Sequence, residues 1–297
     1  MNHFDKISRF NQAIGLNAPE HPLFSISYGS KDDCGGDDIE FSANFYIISF
    51  QQLESGKILY GKTKYDHDRG KLLFIKPRQV VAFKNIKLRQ DCFLIQVHED
   101  FLSGTALHHE IKQYSYFDYD TSEALYLSPS EEEMIWNLVF MMDREYRNNM
   151  DDYSKAILLS HLDTLLKYAQ RFYRRQFMNR AELTGAVAAR FHDILGAYFI
   201  EKEDRQSGLP TVSYMAARLH VSSRYLSDLL KQETGKTALE LIHLYLITEA
   251  KNLLKEGVMN IAEISFSLGF DNPTYFSRLF KKEVGIPPSL FRDQHLN

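Results

Sequence analysis

Hydrophobic and polar positions follow two different rhythms along this chain. Up to about residue 100, apolar residues come in short alternating or continuous runs, the period-two signature of strands. These runs are Leu23 to Tyr28, Ile39 to Phe50, Lys57 to Tyr60, Lys71 to Lys76, Gln79 to Lys84 and Cys92 to Val97. Turn-forming stretches separate them: Asp32 to Asp38, Glu54-Ser55-Gly56 and Asp66 to Gly70. Many short strands at this spacing predict an all-β sandwich or small barrel over residues 1–125.

From about residue 128 the period becomes helical. Ser128-Pro129-Ser130-Glu131 supplies a cap, a first-turn proline and an acidic residue, and apolar positions follow at 134, 135, 138, 139 and 142. A second helix is expected from Tyr153 or Ser154 to about Phe177. Its basic end, Arg171 to Gln176, is read first as compensation of the negative pole of a helix, with a contact to DNA or to a dimer partner as the sharper alternative. A third is expected over about 184–203, before the break Arg205-Gln206-Ser207-Gly208-Leu209-Pro210. Residues 126–183 thus read as a helical dimerisation and linker segment, and everything after Pro210 reads as helices with short turns.

The most informative feature of that last part is an internal repeat. Tyr225 to Gly235 and Tyr275 to Gly285, offset by 50, share six of eleven residues. Upstream, at an offset of 49, Val212, Met215, Ala216, Leu219 and Val221 face Ile261, Ile264, Ser265, Leu268 and Phe270. Apolar positions at i, i+3 and i+7 make one helix face, and a small residue at i+4 lets a neighbouring helix approach. A tight turn follows, His220-Val221-Ser222 in one copy and Gly269-Phe270-Asp271 in the other. Gly269 there can take a positive φ without a Cβ clash. The next helix is expected to be capped by Ser222 in the first copy, and by Asp271 or Asn272 ahead of Pro273 in the second. The pattern is a helix-turn-helix written twice, over about 211–233 and 260–284. Between the copies, Thr237 to Glu256 reads as one helix roughly 30 Å long, close to the ~34 Å of one turn of B-DNA.

Composition bounds the reading more than it directs it. The chain has 297 residues, 44% hydrophobic and 25% charged, and its length predicts more than one domain. Two cysteines, Cys34 and Cys92, are too few for a disulfide framework. No secretory signal opens the chain, and no apolar run approaches the ~18 residues of a membrane span, so a cytoplasmic location without a membrane partner is expected. The net charge of −4 hides an asymmetry: residues 208–297 carry ten Lys/Arg against nine Asp/Glu, and residues 1–207 carry a net −5. That balance neither supports nor excludes DNA binding, which needs only a local basic face.

At these residues the sequence resembles the AraC/XylS family of bacterial transcription regulators. The resemblance covers about 190–297 and rests on Leu219-His220-Val221-Ser222, Tyr225-Leu226-Ser227, Lys231, and Glu233-Thr234-Gly235. It continues through Ile261-Ala262-Glu263-Ile264, Leu268-Gly269-Phe270, Tyr275 to Lys282, Gly285 and Pro287-Pro288-Ser289. It implies an AraC-type DNA-binding domain over 184–297, with the second helix of each pair in the major groove. Less specifically, Gly70 to Ile75 with Pro77, and Gln96-Val97-His98 with Asp100-Phe101-Leu102, resemble the cupin-like sensor domain of such regulators. That resemblance implies an effector-binding or dimerising domain over 1–125. The family's connecting helix usually carries arginines in its middle; Leu244 to Ala250 supplies none, so apolar packing is expected in their place.

The expected fold is therefore an α+β multidomain chain: an N-terminal all-β cupin-like barrel, a helical segment and an all-α double helix-turn-helix. The family match puts base contacts near Arg224, Ser227 and Asp228 in the first copy. Arg224 suits guanine O6/N7 and Asp228 suits cytosine N4, unless Asp228 is spent on a salt bridge within the domain. The corresponding residues of the second copy are Pro273, Thr274, Ser277 and Arg278. Ser223, Lys231, Lys281 and Lys282 are the phosphate candidates. The acid at 228 makes the first copy the weaker expected reader. The expected function is an effector-responsive activator with promoter DNA, a second copy of the chain, RNA polymerase and a small-molecule effector as partners. Strand aromatics Phe24, Tyr46, Phe74, Phe83 and Phe93 would line an effector cavity or fill a core.

The alternative is a cupin-type binder or enzyme with a helical dimerisation tail. Against it, Gly61 and His67 begin a metal-cupin pattern, but Arg69 stands where a second histidine belongs, and His108-His109 are adjacent rather than spaced as ligands. No nucleophile elbow, phosphate loop or dinucleotide fingerprint occurs. Neither a catalytic role nor a cofactor is expected.

Overall fold

The protein is described here by a computed structural model, in which residues 2–29, 39–51, 70–83, 92–120, 123–148, 151–184, 187–200 and 208–296 are described. The expected strand over 57–60, the turns over 32–38, 54–56 and 66–69, with His67 and Arg69, and residues 205–207 lie outside the described residues. The chain forms two compact units, Met1–Leu183 and Thr184–Asn297. Together they make an α+β multidomain protein.

The first unit is built on two sheets. One has three strands in the order β1-β3-β6: β1 (Asn2–Phe4), β3 (Ile39–Ala43) and β6 (Val81–Phe83). The other has five antiparallel strands in the order β2-β7-β4-β5-β8. These are β2 (Phe24–Tyr28), β7 (Phe93–His98), β4 (Phe45–Gln51), β5 (Lys71–Ile75) and β8 (Leu125–Tyr126). Among the described residues the sheets remain separate and no closed barrel forms.

Two expectations need correcting. The apolar run Ile39 to Phe50 is two strands, because Asn44 breaks it, its N–H donating to the Phe4 carbonyl at 2.9 Å. β3 then pairs in the small sheet and β4 in the large one. Nor is the first unit all-β. Helix α1 (Ile7–Ala13) and the single-turn helices α2 (Glu99–Leu102) and α3 (Leu107–Glu110) belong to it. With only seven residues, α1 gives too short a window for a helical period, yet Ile7 and Phe10 are buried.

The large sheet has two dissimilar faces. Phe24, Tyr28, Phe50, Phe74 and Phe93 point toward α4 (Pro129–Tyr146) and α5 (Ser154–Thr184). Trp136 of α4 stands edge-on to Phe93 and Phe50 at 5.1 and 5.5 Å, and Phe74 meets Tyr173 of α5 at 6.3 Å. Phe24, Tyr46, Phe74 and Phe93 are thus core rather than cavity lining, while the Phe83 side chain lies outside the described residues. On the opposite face, Phe45, Ile47 and Ile75 cluster with Phe4, Ile7, Phe10, Phe41, Ala43 and Val81.

Ser128 and Glu131 cap α4 reciprocally, with Pro129 in the first turn. Helix α5 does not stop near Phe177 but continues to Thr184, so its basic cluster is not a helix terminus. Arg175 donates to the Tyr126 carbonyl at 2.7 Å and to Glu131 at 3.0 Å. Beside it, Gln176 donates to the Ala124 carbonyl at 3.2 Å and accepts from the Tyr126 N–H at 2.9 Å. These residues clamp β8 to the helix.

In the second unit the described residues form seven helices: α6 (Val187–Ile200), α7 (Val212–Leu219), α8 (Ser223–Thr234), α9 (Ala238–Glu256), α10 (Ile261–Ser267), α11 (Pro273–Val284) and α12 (Pro288–Leu296). One apolar core joins them, from Phe191 of α6 through Leu226, Leu230, Leu246 and Ile247 to Phe276, Phe280 and Phe291.

Candidate nucleic-acid interface

The repeat in the sequence is a repeat in space, down to individual hydrogen bonds. Thr211 caps α7 by accepting from the Tyr214 N–H at 3.1 Å, and Asn260 caps α10 by accepting from the Glu263 N–H at 3.0 Å. Each first helix ends in a left-handed residue, His220 at φ 57° and Gly269 at φ 90°. The residue after each donates back to the small residue at the helix crossing. Val221 N–H reaches the Ala216 carbonyl and Phe270 N–H the Ser265 carbonyl, both at 3.0 Å. That is a Schellman closure, which fixes where the second helix starts.

Ser222 then caps α8 by accepting from the Tyr225 N–H at 3.2 Å, and Asn272 caps α11 by accepting from the Thr274 N–H at 2.8 Å. Asp271 is the extra residue that changes the offset from 49 to 50. Left-handed Gly235 (φ 76°) and Gly285 (φ 90°) end the second helices. The repeat extends one helix further than sequence comparison showed. Ala238 and Leu241 of α9 and Pro288 and Phe291 of α12, again offset by 50, are buried.

Helices α8 and α11 each bury one face and expose another. Tyr225, Leu226, Leu229 and Leu230 point inward on α8, as do Phe276, Leu279 and Phe280 on α11. The outward face of α8 carries Ser223, Arg224, Ser227, Asp228 and Lys231. Its Arg224 and Asp228 form an i,i+4 ion pair at 3.5 Å, with side chains 52% and 22% exposed. The outward face of α11 carries Thr274, Arg278, Lys281 and Lys282, all exposed, beside half-buried Pro273 and Ser277. Among the described residues Arg278 has no ion pair.

One exposed group on α11 escaped the sequence reading. Tyr275 is 48% exposed, whereas its counterpart Tyr225 is among the largest fully buried side chains. The repeat itself hides it, because matched residues suggest matched burial.

Two supports stand behind these faces. The Glu233 carboxylate, at the far end of α8, accepts from the Ala188 N–H at 3.2 Å, so an acid sits at the positive end of α6. On α9 the arginine-free stretch is packed apolar, with Leu246, Ile247 and Ala250 buried and Tyr245 stacked on Phe199 of α6 at 5.4 Å. His243 of α9 is half-buried. Desolvation holds its imidazole below the usual value; Lys282 adds to that and Glu283 and Glu240 oppose it.

The geometry is that of a helix-turn-helix domain. A family described as "Helix-turn-helix domain" matches residues 215–294. The uncharacterized HTH-type transcriptional regulator YfiF of Bacillus subtilis is 25% identical over 255 residues, 84% of this chain and 77% of that protein. The arabinose operon regulatory protein of Escherichia coli is 38% identical over 81 residues, only 27% of this chain and 28% of that protein. A solved structure, the C-terminal domain of AraT, a response regulator from Geobacillus stearothermophilus, is similar at 32% identity. It covers 36% of this chain and 87% of that one, with a TM-score of 0.31. The C-terminal unit carries a helix-turn-helix domain of the AraC family, and the chain is a DNA-binding transcriptional regulator.

Proposed function

We propose that the chain is an effector-responsive activator that reads two successive major grooves of promoter DNA with α8 and α11. The observation that carries this reading is the duplicated helix pair, closed by the same turn in both copies, with exposed polar and cationic residues on the outward faces of its second helices. In α11, Arg278 forks onto a base edge, with Pro273, Thr274 and Ser277 beside it. In α8, Arg224, Ser227 and Asp228 face the other groove. Ser223, Lys231, Lys281 and Lys282 hold phosphates and set register without reading sequence.

The two sheets of the first unit serve, on this reading, as a cupin-like sensor over 1–125. Two chains pair through that unit and the helices of 126–183, and the bound dimer meets RNA polymerase. An effector acts only as far as its affinities for two dimer arrangements differ. A chain working on chromosomal DNA in this way is cytoplasmic and needs neither catalytic residue nor cofactor. No helix among the described residues is long and apolar enough to cross a membrane.

The test is selection from random duplex DNA with the full chain at about 0.1 M salt, where binding driven by phosphates alone is already weakened. A two-part motif with centres about 10 bp apart is expected. Enrichment of a single part would mean that α8 has become structural, and no enrichment would overturn the reading.

A further inference from the structure

Of the three aromatic residues on α11, Phe276 and Phe280 are buried and Tyr275 is not. The Tyr275 ring lies against Phe270 of the turn, with centroids 5.8 Å apart and planes 57° apart. That contact anchors the ring at the start of the helix, while among the described residues no group bonds its hydroxyl. At the matching position of α8, Tyr225 is only 1% exposed. The same residue type is thus taken into the core in one copy and turned outward in the other, on the helix with the larger cationic face.

Helical geometry fixes which way Tyr275 faces. At about 100° per residue, it stands about 60° around the axis from Arg278 and about 40° from buried Leu279. It therefore occupies a flank of the outward face rather than its centre. Lys282, seven residues on, lies only about 20° from Tyr275 and about 10.5 Å further along the axis. Tyr275 and Lys282 thus line one flank, and Pro273 and Ser277 the other. A helix laid in the major groove turns the middle of its face to base edges and its flanks to the two backbones. The common phosphate donors at such a place are the unpaired N–H groups of a helix N-terminus. Here they are taken. Pro273 has none, the Thr274 N–H donates to Asn272 Oδ1 at 2.8 Å, and the N–H groups of Tyr275 and Phe276 donate to the Asn272 carbonyl at 3.0 and 3.2 Å. A phosphate beside the first turn of α11 must be held by a side chain.

We infer that the Tyr275 hydroxyl donates to a DNA phosphate, on the strand whose backbone Lys282 meets further along. A phosphate oxygen is a charged acceptor and a phenol hydroxyl a neutral donor. Such a donor adds affinity without releasing counterions and, touching backbone alone, carries no sequence preference. Because α8 buries its tyrosine, this hold exists only in the second copy. The inference rests on the reading of the chain as a two-groove regulator, and adds to it a residue that keeps α11 in register while Arg278 reads.

The test compares the full chain with Tyr275→Phe, which keeps the ring on Phe270 and removes only the oxygen. Kd is expected to rise about 5- to 10-fold, alike for the selected duplex and for duplex of random sequence. Selection repeated with the variant is expected to return the wild-type motif. The slope of log Kd against log salt is expected to keep its wild-type value, whereas Lys282→Ala should reduce it by about 1. The DNA-free Tm is expected to stay at the wild-type value, because the hydroxyl has no partner among the described residues. An unchanged Kd, a loss confined to one base pair of the motif, or a lower DNA-free Tm would overturn the inference. Arg278→Ala, measured alongside, separates the two readings. If it loses preference while Tyr275→Phe binds like the wild type, only the role of the tyrosine falls; if the wild type has no preferred duplex, the regulator reading falls with it.

Discussion

The two helix-turn-helix copies share caps, turn closures and terminal glycines, but their outward faces differ. In the first, Arg224 is engaged by Asp228 one turn along the same helix. In the second, Arg278 occupies the position of that acid, and Lys281 and Lys282 extend the positive face. A base offered to Arg224 must compete with a carboxylate that is already there; a base offered to Arg278 has no such rival. On the proposed reading, the same scaffold then supports an anchoring helix and a discriminating one. Backbone closure can be copied without copying chemistry, because the buried residues lie on one side of each helix and the exposed ones on the other.

The largest expected effect breaks this asymmetry directly. Arg278→Ala should weaken binding to the selected duplex by about 1–3 kcal/mol, about 5- to 150-fold in Kd, and relax preference at one base pair. Arg224→Ala should cost less, and equal losses in a titration of both variants would refute the unequal roles. Turn geometry comes next. Gly269→Ala forces a Cβ into left-handed backbone and should lower stability by about 1–2 kcal/mol, seen in urea unfolding. His220→Gly relieves the same backbone in the other copy and should raise stability by about 0.5 kcal/mol, the gain being cut by the freer unfolded chain.

A smaller effect sits at the helix crossing. Ser265 is buried with its Oγ unpartnered among the described residues, and its counterpart is Ala216. Ser265→Ala should therefore stabilise the second copy by about 0.5–1 kcal/mol, and a loss on denaturation would show that the hydroxyl is used. The smallest is a pH effect at His243. Its depressed folded value means that the unfolded chain binds the extra proton first. Stability is thus fully present above about pH 6.5, the ordinary histidine value, and declines as pH falls below it. His21 of the first unit shifts the same way. The readout is therefore the difference in Tm between wild type and His243→Gln at pH 7.5 and at lower pH, which should narrow.

The helical part was more legible than the β part, for a physical reason. A helix pair declares itself within about twenty consecutive residues, through caps, a period and a turn residue, and the second copy checks the first. Ser222 and Ser128 could be read from their neighbours alone. A strand's partners are remote, so nothing inside Ile39 to Phe50 says that Asn44 donates to Phe4 and sends the two halves into different sheets. Arg175 could not be placed for the same reason, since Glu131 and Tyr126 are more than forty positions away. Tyr275 was hidden by too good a match. The buried, unpaired amide of Gln96 was invisible because a glutamine in a strand reads as an outward-facing residue until the fold shows that its face is covered too.

Helix α9 has a consequence for how such a protein and its operator can change together. One residue added within it would advance the second helix pair by only about 1.5 Å but turn it by about 100°. On the two-groove reading, the interval between the half-motifs is then held by rotational phase more than by length. Gradual drift in operator spacing has no matching gradual change in the protein. The partners can move apart only in whole steps that restore the phase, so the interval is inherited as a discrete quantity while the bases on either side of it remain free to vary.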